Sequence, residues 1–128
     1  MVPFHEAENP TMGSLAVDAY RGKPGRVIQV KCRTLDSIVG ELNVEPDFLK
    51  IDVEGFEHLV LRGASRVLSS FRPRIVLEAN PGAPGAEVTQ ILSKHGYGFQ
   101  NITDRGLESR SEIVPVESYA NWLRVPAS

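Results

Sequence analysis

The segment Asp47–Val53 (DFLKIDV) constrains this chain most. Phe48, Leu49, Ile51 and Val53 place apolar side chains on both faces of an extended strand, a pattern that calls for burial on both sides, as in a parallel sheet. Arg74–Glu78 (RIVLE) repeats the pattern. Between the two strands Gly55 leads into a helix predicted over Phe56–Phe71. Phe56, Leu59, Val60, Ala64, Val67, Leu68 and Phe71 recur at three-to-four spacing and form its buried stripe. His58, Arg62 and Arg66 form the opposite, solvated stripe. Pro73 ends the helix. Two parallel strands joined through a helix make a crossover unit, and such units build sheets covered by helices.

The flanking segments extend this order. Val2–His5 and Val27–Lys31 read as strands, and Arg21–Arg26, with two glycines and a proline, reads as loop. Thr34 or Asp36 caps a short helix over Asp36–Leu42. Ile38, Val39 and Leu42 share one side of it, and Asn43 closes it. Asn80–Gly85 is a loop, Ala86–His95 a helix with Val88, Ile91 and Leu92 inward, and Tyr97–Ile102 a strand. Thr103–Ser111 reads as polar loop. Ile113–Val116 and Asn121–Val125 are two short closing strands, with Trp122 and Leu123 packing. The reading is one α/β domain over residues 1–128, with a mostly parallel sheet and helices on both faces.

Composition narrows the partners. Fourteen Lys and Arg against sixteen Asp and Glu give a net charge of −2. That balance excludes nucleic acid or an anionic membrane as the main partner. No apolar run approaches the ~20 residues of a membrane helix. The start, MVPFHEAENP, lacks the basic and apolar regions of a secretory leader. One cysteine, Cys32, makes no internal disulfide, which fits a reducing cytoplasm. It reads as a small buried thiol.

Ligands of such sheets sit beyond the carboxyl ends of the strands. That places the loops after Val53 and Leu77 at the site. Lys50-Ile51-Asp52-Val53-Glu54-Gly55 is the richest stretch. Asp52 and Glu54 are two apart, so they face the same way on an extended backbone. Paired carboxylates can bind a divalent metal, bond a cationic ligand, or take a proton from a hydroxyl. They can equally cap the following helix. Gly55 lets backbone or ligand approach closely. Glu78 ends its strand in the position equivalent to Asp52, so adjacent strands bring the two together. Asp36 reads as a cap, and Lys50 pairs with Asp47 or reaches solvent along its stem. His5, His58 and His95 are scattered, and no Cys/His spacing suits zinc. No glycine-rich phosphate loop is present.

The runs Thr34-Leu35-Asp36-Ser37, Asp47-Phe48-Leu49-Lys50-Ile51-Asp52-Val53-Glu54-Gly55-Phe56-Glu57, Leu61-Arg62-Gly63-Ala64 and Arg72-Pro73-Arg74-Ile75-Val76-Leu77-Glu78 resemble the FkbM family of S-adenosylmethionine-dependent methyltransferases. The family's pattern there is T-L-D-S, D-F-[IL]-K-I-D-V-E-G-x-E, L-x-G-A and R-P-x-I-x-x-E. The weaker ends, Gly13-Ser14-Leu15 and Asn121-Trp122-Leu123-Arg124-Val125-Pro126, are also similar to it.

The resemblance implies a Rossmann-like class I methyltransferase fold that methylates a hydroxyl on a small molecule or sugar. On that map Asp47–Val53 is the fourth strand, Arg74–Glu78 the fifth, and Val2–His5 a remnant of the third. Asp52 is then the base or a metal ligand, Glu54 its neighbour and Glu78 a substrate-side acceptor. Asp52 and Gly55 border S-adenosylmethionine. The family's D-x-G-A-N-x-G cofactor turn and the ribose-binding acid would precede Met1. The chain is thus expected to be the C-terminal portion of the domain, with its N-terminal strands missing. A sheet edge would then be open to self-association. The alternative is a non-catalytic fragment or an interaction module that completes its sheet with another chain.

Overall fold

The computed structural model describes residues 1–7, 24–79, 84–113 and 120–126. It divides into two compact units, Met1–Arg33 and Thr34–Ser128. In the first unit β1 (Val2–Ala7) and β2 (Pro24–Val30) form an antiparallel two-stranded sheet, with Phe4 opposite Ile28. β2 takes in Pro24–Arg26, which the sequence reading left in a loop. β1 pairs with β2 instead of joining a larger parallel sheet. The Gly13-Ser14-Leu15 segment lies outside the described residues. Cys32 is exposed, not buried.

The second unit begins with α1 (Leu35–Leu42). Thr34 caps it, its hydroxyl accepting the Ser37 N–H at 3.2 Å. Asn43 ends it in the left-handed conformation (φ 50°). Val39 is buried, whereas Leu42, at the end of the helix, stands 63% exposed. β3 (Phe48–Ile51) follows, then α2 (Glu57–Arg62), a π-helical segment (Val67–Phe71), β4 (Arg74–Ala79), α3 (Gly85–Lys94), β5 (Tyr97–Thr103), β6 (Gly106–Arg110) and β7 (Ala120–Pro126).

The continuous helix expected over Phe56–Phe71 is broken at Gly63–Ala64. The cause is the start of α1, which docks into the break. The Asp36 N–H donates to the Gly63 carbonyl at 2.9 Å. The Asp36 carboxylate accepts the N–H groups of Arg66 (3.0 Å) and Val67 (2.9 Å), and so caps the second helical stretch. Gly63 lies against Thr34 so closely that a Cβ would meet its side chain at 3.2 Å. The break also changes which side chains face inward. Leu61, Ala64, Val67 and Leu68 are fully buried, while Leu59 is 48% exposed. Arg72 closes the segment with a left-handed backbone, its N–H reaching the Val67 carbonyl.

The five strands of this unit run in the order β3-β4-β7-β5-β6. β3 and β4 are parallel, with Ile51 opposite Leu77. β7 lies between β4 and β5 and is antiparallel to both. β3, β4 and β5 therefore run one way, but only one pair is parallel. The mostly parallel sheet is corrected to a mixed one, because the closing strand inserts into it. Thr103–Ser111 is corrected too: it holds the turn and strand of the β5–β6 hairpin. The Thr103 hydroxyl donates to the Gly106 carbonyl and accepts the Arg105 N–H, which tightens that turn. Ile113 is buried but lies outside any strand, its N–H donating to the Thr89 hydroxyl.

Burial of the sheet is uneven. In β4, Ile75, Leu77 and Ala79 are buried on one face, with Val76 and Glu78 half-buried on the other. In β3 only Ile51 is buried, and Phe48 stands 53% exposed, so this strand is not covered on both faces as its pattern suggested. α2 packs on α3, and α3 also on β5. Val88 and Leu92 of α3 join the core, which extends through Leu61, Leu68 and Leu77 to Phe99. No helix among the described residues is long and apolar enough to cross a membrane.

Candidate functional site

The ends of β3 and β4 place the acidic residues. Ile51 and Leu77 are register partners and both point into the core. The next residue on each chain, Asp52 and Glu78, therefore leaves on the opposite face, side by side. Asp52 is exposed and paired with Lys50, Nζ to Oδ2 at 3.0 Å. Lys50 thus takes Asp52 as its partner, not Asp47.

Beyond Asp52 the backbone stops being extended. β3 ends at Ile51, and Glu54 and Gly55 form a turn with φ of 53° and 94°. The extended backbone assumed for Asp52 and Glu54 is therefore interrupted at Glu54. Gly55 supplies a left-handed conformation that side chains resist. Among the described residues nothing lies within 4 Å of where its Cβ would stand, so this side of the turn is open to them.

Glu57, at the start of α2, completes the group. It precedes Leu61 by one helical turn, so it falls on the buried side of α2 and is 1% exposed. Its Oε1 accepts the Gly55 N–H at 3.1 Å. Its Oε2 is buried and meets no donor. In the sequence Glu57 stands within the Asp47–Glu57 run with no role of its own. Its place four residues before Leu61 runs against the usual exposure of a charged side chain.

Glu78 feels all of these groups. Its carboxyl is raised above the ordinary 4.5, first by burial, then by the negative charges of Asp52 and Glu54. Lys50 opposes the shift and Glu57 adds to it. Four carboxylates thus share one field with a single lysine. Such a group attracts cationic or hydrogen-bond-donating ligands. Among the described residues no group of three or more His, Cys, Asp or Glu side chains is placed to hold a metal ion. His58, expected on the solvated stripe, is half-buried with Nδ1 unpartnered. Arg62 and Arg66 are exposed as expected, Arg62 paired with Glu87 at 2.6 Å. A shallow groove lined by Arg62, Glu87, Gln90, Ile91 and Lys94 lies where α2 meets α3, and none of the four acids borders it.

Residues 3–99 match the family model described as the methyltransferase FkbM domain, a span that includes Asp52, Glu54, Gly55, Glu57 and Glu78. The chain belongs to the FkbM methyltransferase family. Searches of curated proteins and of solved structures return no match. The residues that carried the resemblance divide into two physical tasks. Thr34, Asp36 and Gly63 lock α1 to the helical break. Lys50 to Glu57 build the acidic turn beside Glu78.

Proposed function

We propose that this FkbM chain acts as an S-adenosylmethionine-dependent methyltransferase on a hydroxyl of a small molecule or sugar. The observation that carries the reading is the meeting of Asp52, Glu54, Glu57 and Glu78 at the ends of two parallel strands. A Rossmann-like class I fold is part of the same proposal. It is supported by β3, β4 and β5 running one way, with α2 and α3 in the intervening segments.

The residues present fit that cofactor. S-adenosylmethionine carries a positive sulfonium and supplies an electrophilic methyl group. The acidic group offers a complementary field, and the open side of Gly55 leaves room for close approach. Asp52 and Gly55 would border the cofactor. An alcohol is a poor nucleophile until its proton leaves. Asp52, exposed at the strand end, takes that proton, with the neighbouring Lys50 holding its carboxylate in place. Glu54 keeps the field negative. Glu78, its carboxyl raised by burial and by the neighbouring carboxylates, bonds a second hydroxyl of the substrate and orients it. The exposed Cys32 without an internal partner suits a cytoplasmic setting.

Calorimetric titration with S-adenosylhomocysteine tests the reading. Saturable binding to the 128-residue chain, retained in Asp52→Asn while methyl transfer is lost, is the expected result. A folded chain that binds none overturns it.

One observation favours a second reading. Among the described residues β3 bonds only to β4, and its Phe48 is half exposed. A second copy of this chain pairing along that edge would complete the sheet. Sedimentation that stays monomeric across a wide concentration range would remove this alternative.

A further inference from the structure

Among the described residues Glu57 is the only buried charged side chain. Its side of α2 would be filled as well by Leu or Met, because Leu61 continues it. A carboxylate there loses hydration on both oxygens and recovers one bond, to the Gly55 N–H at 3.1 Å. The second oxygen stays unmatched, a net cost to stability. A buried polar group kept at such a cost points to a task other than packing.

The position of the bond indicates the task. Glu54 and Gly55 are consecutive residues with positive φ, a conformation an unanchored chain leaves. Phe56 closes the turn only loosely, its N–H reaching the Val53 carbonyl at 3.4 Å. The Gly55 N–H donates to the Glu57 carboxylate at 3.1 Å, the shorter of the two bonds. Glu57 is itself fixed, because Leu61 in the same helix is fully buried.

We propose that Glu57 is the positioning residue of the site: its buried carboxylate holds the Glu54–Gly55 turn through the Gly55 N–H, and so sets where Glu54 and Asp52 stand beside Glu78. This rests on the strand-end carboxylates being the site. It adds a residue that acts through others and touches neither cofactor nor substrate.

Amide hydrogen exchange on the whole chain tests it, with the Leu77 amide of β4 as the measure of global opening. In Glu57→Ala the Gly55 amide is expected to exchange about tenfold faster relative to Leu77, the loss of one such bond. Glu57→Gln keeps a carbonyl oxygen in reach and is expected to retain the wild-type ratio. If Glu57→Ala does not fold, Glu57→Asp supplies the contrast, since its shorter side chain withdraws from Gly55 while keeping the charge. An unchanged ratio in the Ala or Asp variant overturns the proposal, as does Gln exchanging as fast as Ala. Affinity for S-adenosylhomocysteine is expected to fall about tenfold in Glu57→Ala and to be restored in Glu57→Gln. A wild-type chain that binds none counts against the methyltransferase reading, and the exchange ratio still decides the role of Glu57.

Discussion

Replacing Asp36 by Ala removes both acceptors that hold the start of the helical stretch after Gly63. The carboxylate accepts the Arg66 N–H at 3.0 Å and the Val67 N–H at 2.9 Å. Bonds between a backbone N–H and a charged oxygen contribute about 1.5–3 kcal/mol each. Arg66 is exposed, so water replaces much of its bond. Val67 is fully buried, and its N–H is left without a partner. The discounted sum is about 2–3 kcal/mol, a large share of the ~5–15 kcal/mol by which domains are stable. Urea denaturation followed by circular dichroism measures it. With a slope of ~1–3 kcal/mol per molar, the midpoint is expected to fall by roughly 1–2 M. Ser37→Ala, which removes an exposed hydroxyl bond to the Thr34 carbonyl, is the control and is expected to change stability by less than ~0.5 kcal/mol. A midpoint for Asp36→Ala within ~0.3 M of the wild type, at equal slope, would refute the reasoning. It would mean that the break at Gly63 holds itself without the α1 start.

Two further outcomes follow from the acidic turn. Glu78 has a folded-state pKa above its unfolded 4.5. Its contribution to stability is therefore fully present below 4.5 and is lost as pH rises through the raised value. Glu78→Gln is accordingly expected to be more stable than the wild type at neutral pH, with the difference vanishing well below pH 4.5; a difference that persists in acid would contradict this. Gly55→Ala meets no atom within 4 Å, so its whole penalty is the left-handed backbone at φ 94°. That is about 1–2 kcal/mol, read by the same urea titration, and an unchanged midpoint would count against the turn.

Much of the second unit was legible because its signals are local. The αL cap at Asn43, the inward face of α3 and the parallel pairing of β3 with β4 follow from residue type and spacing. The errors have a common physical source in tertiary docking. Nothing near Gly63 in sequence announces the break, because its cause, Asp36, lies 30 residues before Arg66. The polar run Gly106–Arg110 has no buried pattern, since it forms an exposed outer strand of the sheet. The site divides the same way. The adjacency of Asp52 and Glu78 could be derived from two strand patterns. The turn at Glu54 and the burial of Glu57 could not, because a non-glycine positive φ and a charge on an apolar stripe both run against their usual preference.

We propose that the ends of β3 and β4 form the ligand site of this FkbM chain. Backbone amide chemical shifts recorded during titration with S-adenosylhomocysteine test it most directly. Shifts gathered on Asp52 to Glu57 and on Glu78 and Ala79 are the expected result. Shifts gathered instead on Arg62, Gln90 and Lys94, in the groove where α2 meets α3, or none at all, would contradict it.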